Sequence, residues 1–120
     1  MNYYEIIKNE LIDNELTKKA KNYAKNKSDL THYYNVGKLL TFAGKHYGEG
    51  IISKYSLKLT TEVSKKYNVT NLKRMRQFYR LVLKGATVWH QLSWSHYKIL
   101  ISIHAIDKIN YYSRIAVEYN

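Results

Sequence analysis

Residues 51–83 read IISKYSLKLTTEVSKKYNVTNLKRMRQFYRLVL. Ile51, Ile52, Tyr55, Leu59 and Val63 recur at steps of mostly three and four, the spacing that puts side chains on one face of a helix. That helix is predicted over about 50–65. A polar turn follows, Lys65-Lys66-Tyr67-Asn68. The Asn68 side chain can accept from an unpaired amide in the next turn, so it is the expected N-cap of a second helix over 69–83. Leu72, Met75, Tyr79 and Val82 form that helix's inner face, and Gly85 is its expected stop.

With those four residues turned inward, Thr70, Lys73, Arg74, Arg76, Gln77 and Arg80 face outward. Two helices joined by a short turn, the second one basic, form the pattern of a helix-turn-helix. There the first helix braces on the core and the second enters the major groove. Arg can pair bidentately with guanine and Gln with adenine, while Lys anchors phosphate. The competing explanation is an ordinary amphipathic helix with a solvated basic face, and the turn lacks the glycine common in this motif.

Working outward, helical spacing dominates on both sides. Tyr4, Ile7, Leu11, Leu16, Ala20, Tyr23 and Ala24 predict a first helix over about 3–26. Ser28 or Asp29 is the expected cap of a helix reaching about His46. Gly37 falls inside it at a cost of roughly 1 kcal/mol relative to Ala, and the expected compensation is close approach of another helix. Gly44, Gly48 and Gly50 then mark a stop and turn. Ser93 is expected to cap a helix over 94–104, and Asp107 to begin a last one over 108–119. The reading is therefore all-α, about six helices in one domain spanning 1–120, with 1–27 as an N-terminal helix or arm.

Composition agrees. Of 120 residues, 45% are hydrophobic, enough for a packed core without staples. Cysteine is absent, which rules out disulfides and thiolate chemistry and fits a reducing cytoplasm, the expected location. No run is long and apolar enough to span a membrane. Twenty Lys and Arg against nine acidic residues give a net charge of +11. That excess is either a solubility surface or the electrostatic footprint of a nucleic-acid partner.

The search for catalytic groups is mostly negative. There is no Gly-x-Ser-x-Gly, phosphate-binding loop or His-Glu-x-x-His. No acidic residue has Lys two positions later, the pairing that metal-dependent nucleases of the acid-x-Lys type need. Asp13, Asp29 and Asp107 are widely spaced. His90, His96 and His104 do not share a helical face, so capping or core roles are expected and no metal or other cofactor is called for. Thirteen tyrosines could stack on bases, but with only two phenylalanines present a core-rim role is the simpler reading.

One segment is more than generic. Ser56-x-x-Leu59-Thr60 followed by Asn71-Leu72-Lys73-Arg74-Met75-Arg76-Gln77-Phe78-Tyr79 resembles the N-terminal domain of the YhcG family. In these bacterial proteins a helical domain precedes a PD-(D/E)xK nuclease. Tyr33-Tyr34-Asn35-Val36-Gly37-Lys38, Tyr47-Gly48, Ile51-Ile52, Gln91-Leu92-Ser93-Trp94-Ser95-His96 and Tyr112 are similar in the same order, and the resemblance covers about 30–120. It implies a helix-turn-helix or winged-helix-like DNA-binding domain. The family often has Gly-x-Gly-Phe-Ser before the Asn-Leu motif, where this chain has Ser64, Lys66, Tyr67 and Asn68. Here the chain ends near the point where the family continues toward its nuclease, which suits either a short stand-alone copy or a fragment.

The expected function is thus a non-catalytic module binding nucleic acid, DNA before RNA, through Thr70, Asn71, Lys73, Arg74, Arg76, Gln77 and Arg80. A homodimer using the first helix would fit a two-half-site operator. The alternative is an interaction or inhibitor protein of a phage or mobile element, for example an anti-CRISPR, that binds a nuclease or another nucleic-acid-handling complex.

Overall fold

The structure, a computed structural model, describes residues 2–17 and 22–119, with side chains described outside 15–23. It is all-α: α1 (Tyr3–Thr17), α2 (Asn22–Tyr47), α3 (Ile51–Glu62), α4 (Val69–Leu83), α5 (Trp94–Leu100) with a 3-10 turn at Ile101–Ile103, and α6 (Ile106–Glu118). Among the described residues there is no strand, so a winged-helix hairpin is not part of them.

Helix α2 runs through the middle of the molecule. Ser28, His32 and Asn35 line one face and meet α1: Ser28 Oγ donates to Asn14 Oδ1 at 2.9 Å, and Asn35 Nδ2 to Glu10 Oε2 at 3.4 Å. Tyr3, at the start of α1, stacks on His46 near the end of α2, so the two helices run antiparallel. The opposite face of α2, with Leu30, Tyr34 and Gly37, meets α4. Tyr34 lies edge-on to Tyr79 with ring centroids 5.1 Å apart. At Gly37 the helices nearly touch: a Cβ there would stand 2.8 Å from the Met75 carbonyl carbon and 2.9 Å from Tyr79 Cβ. The close approach expected from a mid-helix glycine is therefore present.

Leu40, Leu59, Leu72, Met75 and Leu92 are fully buried around this contact. Each such side chain contributes about 1.5–3 kcal/mol relative to exposure. Helix α5 closes the core with aromatic rings. Trp94 sits 4.9 Å from Tyr33 and 5.5 Å from Phe78, and Tyr97 sits 5.3 Å from Phe78, centroid to centroid. Asn110 secures α6, accepting from the Thr87 amide at 2.8 Å and donating to the Gly85 carbonyl at 3.2 Å.

Several boundaries differ from expectation. The first helix is described over Tyr3–Thr17, and residues from Asn22 on belong to α2 rather than to it. Ser28 and Asp29 are thus interior residues rather than caps. Ser28 bonds across to α1, and Asp29 is buried with its carboxylate 3.2 Å from Lys25 one turn earlier. For Ser28, local cap chemistry lost to tertiary pairing with Asn14. Leu16, Ala20 and Tyr23, assigned to the first helix's apolar face, lie outside the residues whose side chains are described. Tyr4, Ile7 and Leu11, from the same predicted apolar face, are buried. Helix α3 ends at Glu62 rather than near Lys65. Helix α5 stops at Leu100 instead of His104, which takes a left-handed φ of 67° after the 3-10 turn. The last helix begins at Ile106, which leaves Asp107 in its first turn and Ala105 at the cap position. No helix of the described residues is long and apolar enough to cross a membrane.

Candidate nucleic-acid interface

Helix α4 starts where its cap chemistry dictates. Asn68 is extended, and its Oδ1 accepts from the Asn71 amide at 2.9 Å. At the far end Gly85 takes φ +113°, a conformation that costs glycine little. The turn before α4 is tied to both flanking helices. Ser56 Oγ on α3 donates to the Tyr67 carbonyl at 3.2 Å. Asn71 Nδ2 donates back to the Lys66 carbonyl at 3.0 Å. Asn71 Oδ1 in turn accepts from the Trp94 indole at 3.1 Å. Trp94 follows Ser93, which shares a capping box with His96. Ser56, Asn71 and Trp94, far apart in sequence, thus support one turn in space.

The seven candidate contact residues divide accordingly. Thr70, Lys73, Arg74 and Arg80 are exposed. Thr70, Lys73 and Arg74 are three and four residues apart and share one face. Among the described residues, no carboxylate pairs with Lys73, Arg74 or Arg80. Asn71 is committed to the scaffold just described. Arg76 does not point freely outward. It folds onto Glu49 in the α2–α3 turn, and its side chain is only 13% exposed. Gln77 is half-buried and donates to the Ile101 carbonyl at 2.9 Å, with His104 Nδ1 at the same distance. The 3-10 turn therefore lies over the middle of the outward face and separates Arg80 from the Thr70–Arg74 cluster. Periodicity could not reveal this, because both covering groups come from distant sequence.

A further signal lies in the chain's acids. Residues 63–106 contain no Asp or Glu, yet they hold every cation of α4 together with Lys65, Lys66, Lys84 and Lys98. The first turn of α4 also carries no acid. Its leading amides have no partner within the helix, and the helix dipole adds partial positive charge at the same end. A phosphate placed there meets amides, dipole and ammonium groups together. The turn from 63 to 68 is longer than the three or four residues of the usual helix-turn-helix, so the basic end of α4 stands out more clearly than the motif as a whole. Among the described residues, no group of His, Asp or Glu is arranged to hold a metal.

This is a small all-α domain organised around a close α2–α4 crossing, in which α4 is the capped basic helix. The chain belongs to the DUF1016 N-terminal domain family, which it matches over residues 8–120, and this is the YhcG-like N-terminal domain. No curated protein and no solved structure matches it.

Proposed function

We propose that the domain is a non-catalytic nucleic-acid-binding module that sets the N-terminal half of α4 in the major groove of duplex DNA. The observation that carries this reading is the exposed set Thr70, Lys73 and Arg74, unopposed by any acid among the described residues, on the positive end of a capped helix. Arg74 is the residue placed to read a base edge, with Lys73 and Thr70 on phosphate and Arg80 as an outlying phosphate contact. Duplex DNA is preferred to RNA because its major groove admits a helix, whereas the A-form groove is too narrow. Arg76, Gln77 and Asn71 serve this function indirectly, by holding the α2–α3 turn, the 3-10 turn and the α3–α4 turn against α4.

The test is binding to duplex DNA, single-stranded DNA and RNA across a salt series, with the Lys73→Glu/Arg74→Glu variant beside the parent. Retained duplex affinity in a folded variant would sink the assignment. Loss of all binding by moderate salt would move the reading to a protein partner, such as a nucleic-acid-handling complex that the domain inhibits.

A further inference from the structure

A second basic surface lies away from the face of α4. The start of α1, the end of α2 and one face of α3 enclose a cleft of about 460 Å³, within the usual range for a small-ligand site. Four tyrosines and two lysines dominate it: Tyr3, Tyr4, Tyr47, Tyr55, Lys54 and Lys58. On α3 the contributing residues Ile51, Lys54, Tyr55 and Lys58 step by three, one and three, so the helix turns a single face into the cleft. No acidic residue lines it. The Glu62 carboxylate accepts from the Tyr4 hydroxyl and pairs with Lys8 at 3.4 Å.

The lining is rich in donors and rings. Lys58 lies 4.6 Å from the centroid of Tyr4, and Tyr3 meets Tyr47 edge-on at 6.4 Å. The Tyr47 ring is 60% exposed, and Lys54 is exposed with no carboxylate partner among the described residues. Burial raises the Tyr55 hydroxyl above its ordinary pKa, and the neighbouring Tyr47 and Tyr3 phenols raise it further. The Tyr55 hydroxyl therefore remains a protonated donor at neutral pH. Such a lining suits a ligand that combines an anion with an aromatic ring. It offers no carboxylate to a sugar's hydroxyls or a peptide's ammonium group.

We propose that this cleft binds a nucleotide, with the base on the exposed Tyr47 ring and the phosphate held by the Lys54 and Lys58 ammonium groups. Stacking on an exposed tyrosine is tolerant of base identity, so the site recognises the class rather than one base. The nucleotide is either free or an unpaired unit of a single strand. The proposal does not depend on the role of α4.

The experiment is an NMR titration of the chain with adenosine monophosphate, inorganic phosphate and a short oligothymidylate. It is repeated with Lys54→Glu and Tyr47→Ala, both at exposed positions, and with Lys73→Glu/Arg74→Glu. The mononucleotide is expected to shift resonances of Tyr3, Tyr47 and Tyr55. Tyr47→Ala should weaken it at least roughly fivefold, the lower end for losing one stacking ring, and Lys54→Glu by a similar factor. The α4 variant should leave these shifts in place, which separates this site from the duplex-binding surface. Tighter binding of the oligothymidylate at the same tyrosines identifies a strand as the source, and weaker binding identifies the free nucleotide. Absence of tyrosine shifts with both ligands overturns the proposal. So does inorganic phosphate binding as tightly as the mononucleotide, or indifference to both cleft substitutions.

Discussion

Gly37 packs directly on the Met75 backbone, with room for no atom beyond its own hydrogen. This contact sets how closely α2 and α4 can cross, and the glycine's helix cost of roughly 1 kcal/mol is repaid by the packing on either side. Gly37→Ala should force the helices apart and cost about 1–3 kcal/mol, the range for overpacking a close-fitting core. Gly44, in the same helix, has open space, its nearest neighbour being Glu49 Oε1 at 3.8 Å. Gly44→Ala should therefore be neutral or stabilising by up to about 1 kcal/mol. Urea denaturation of both variants checks the contrast.

Tyr97 holds the connector between α4 and α5. Its hydroxyl accepts from the Trp89 amide at 2.6 Å and donates to the Thr87 carbonyl at 3.2 Å. Tyr97→Phe should cost about 1–3 kcal/mol at neutral pH, because it leaves two backbone groups without their partner.

The same residue predicts a loss of stability in alkali. Burial pushes the Tyr97 pKa from 10.0 up to about 12, against the smaller opposing effect of the Trp89 amide. Because the folded value is the higher one, the phenol's contribution is complete below pH 10 and is lost as pH rises toward 12. The loss is at most roughly 2–3 kcal/mol. Denaturation midpoints measured from about pH 8 upward should fall more steeply in the parent than in Tyr97→Phe.

Asn71 is expected to act on stability before affinity. Asn71→Ala removes the bond to the Lys66 carbonyl and the acceptor for the Trp94 indole, at a cost of about 1–3 kcal/mol. Asn68→Ala, which deletes only the cap, should cost about 1 kcal/mol. Thermal unfolding of the two variants ranks them.

Lys73 and Arg76 should separate in a salt series. If α4 lies against phosphate, Lys73→Ala lowers the log–log salt slope of duplex binding by about 0.9. Arg76→Ala should leave that slope unchanged, since its guanidinium is already held by Glu49. An equal effect of the two substitutions would show that Arg76 leaves Glu49 when DNA binds.

Features governed by neighbours in sequence were legible before the structure. Helix α4 begins after Asn68 and ends before Gly85, because a side-chain cap and a left-handed glycine are local devices. Gly37 announced a close crossing because its cost had to be repaid by something nearby. What escaped the sequence depended on distant partners. Ser28 has the chemistry of a cap, and only its bond to Asn14 on a neighbouring helix shows it to be interior. Arg76 and Gln77 have outward periodicity but are covered by Glu49 and Ile101, 27 and 24 residues away. The single acid in the glycine-rich turn and the acid-free run that follows were visible signals for both the pairing and the basic surface. Their meaning rests on which parts of the chain meet.

The hydrogen bond from Trp94 to Asn71 gives the molecule an optical reporter of its own. The indole is packed among Tyr33 and Phe78, and its N–H ends one residue from Thr70. Any event that shifts the first turn of α4 alters the polarity felt by this ring and hence its emission. With Trp89→Phe removing the other indole, a label-free fluorescence titration reports any ligand that shifts the first turn of α4.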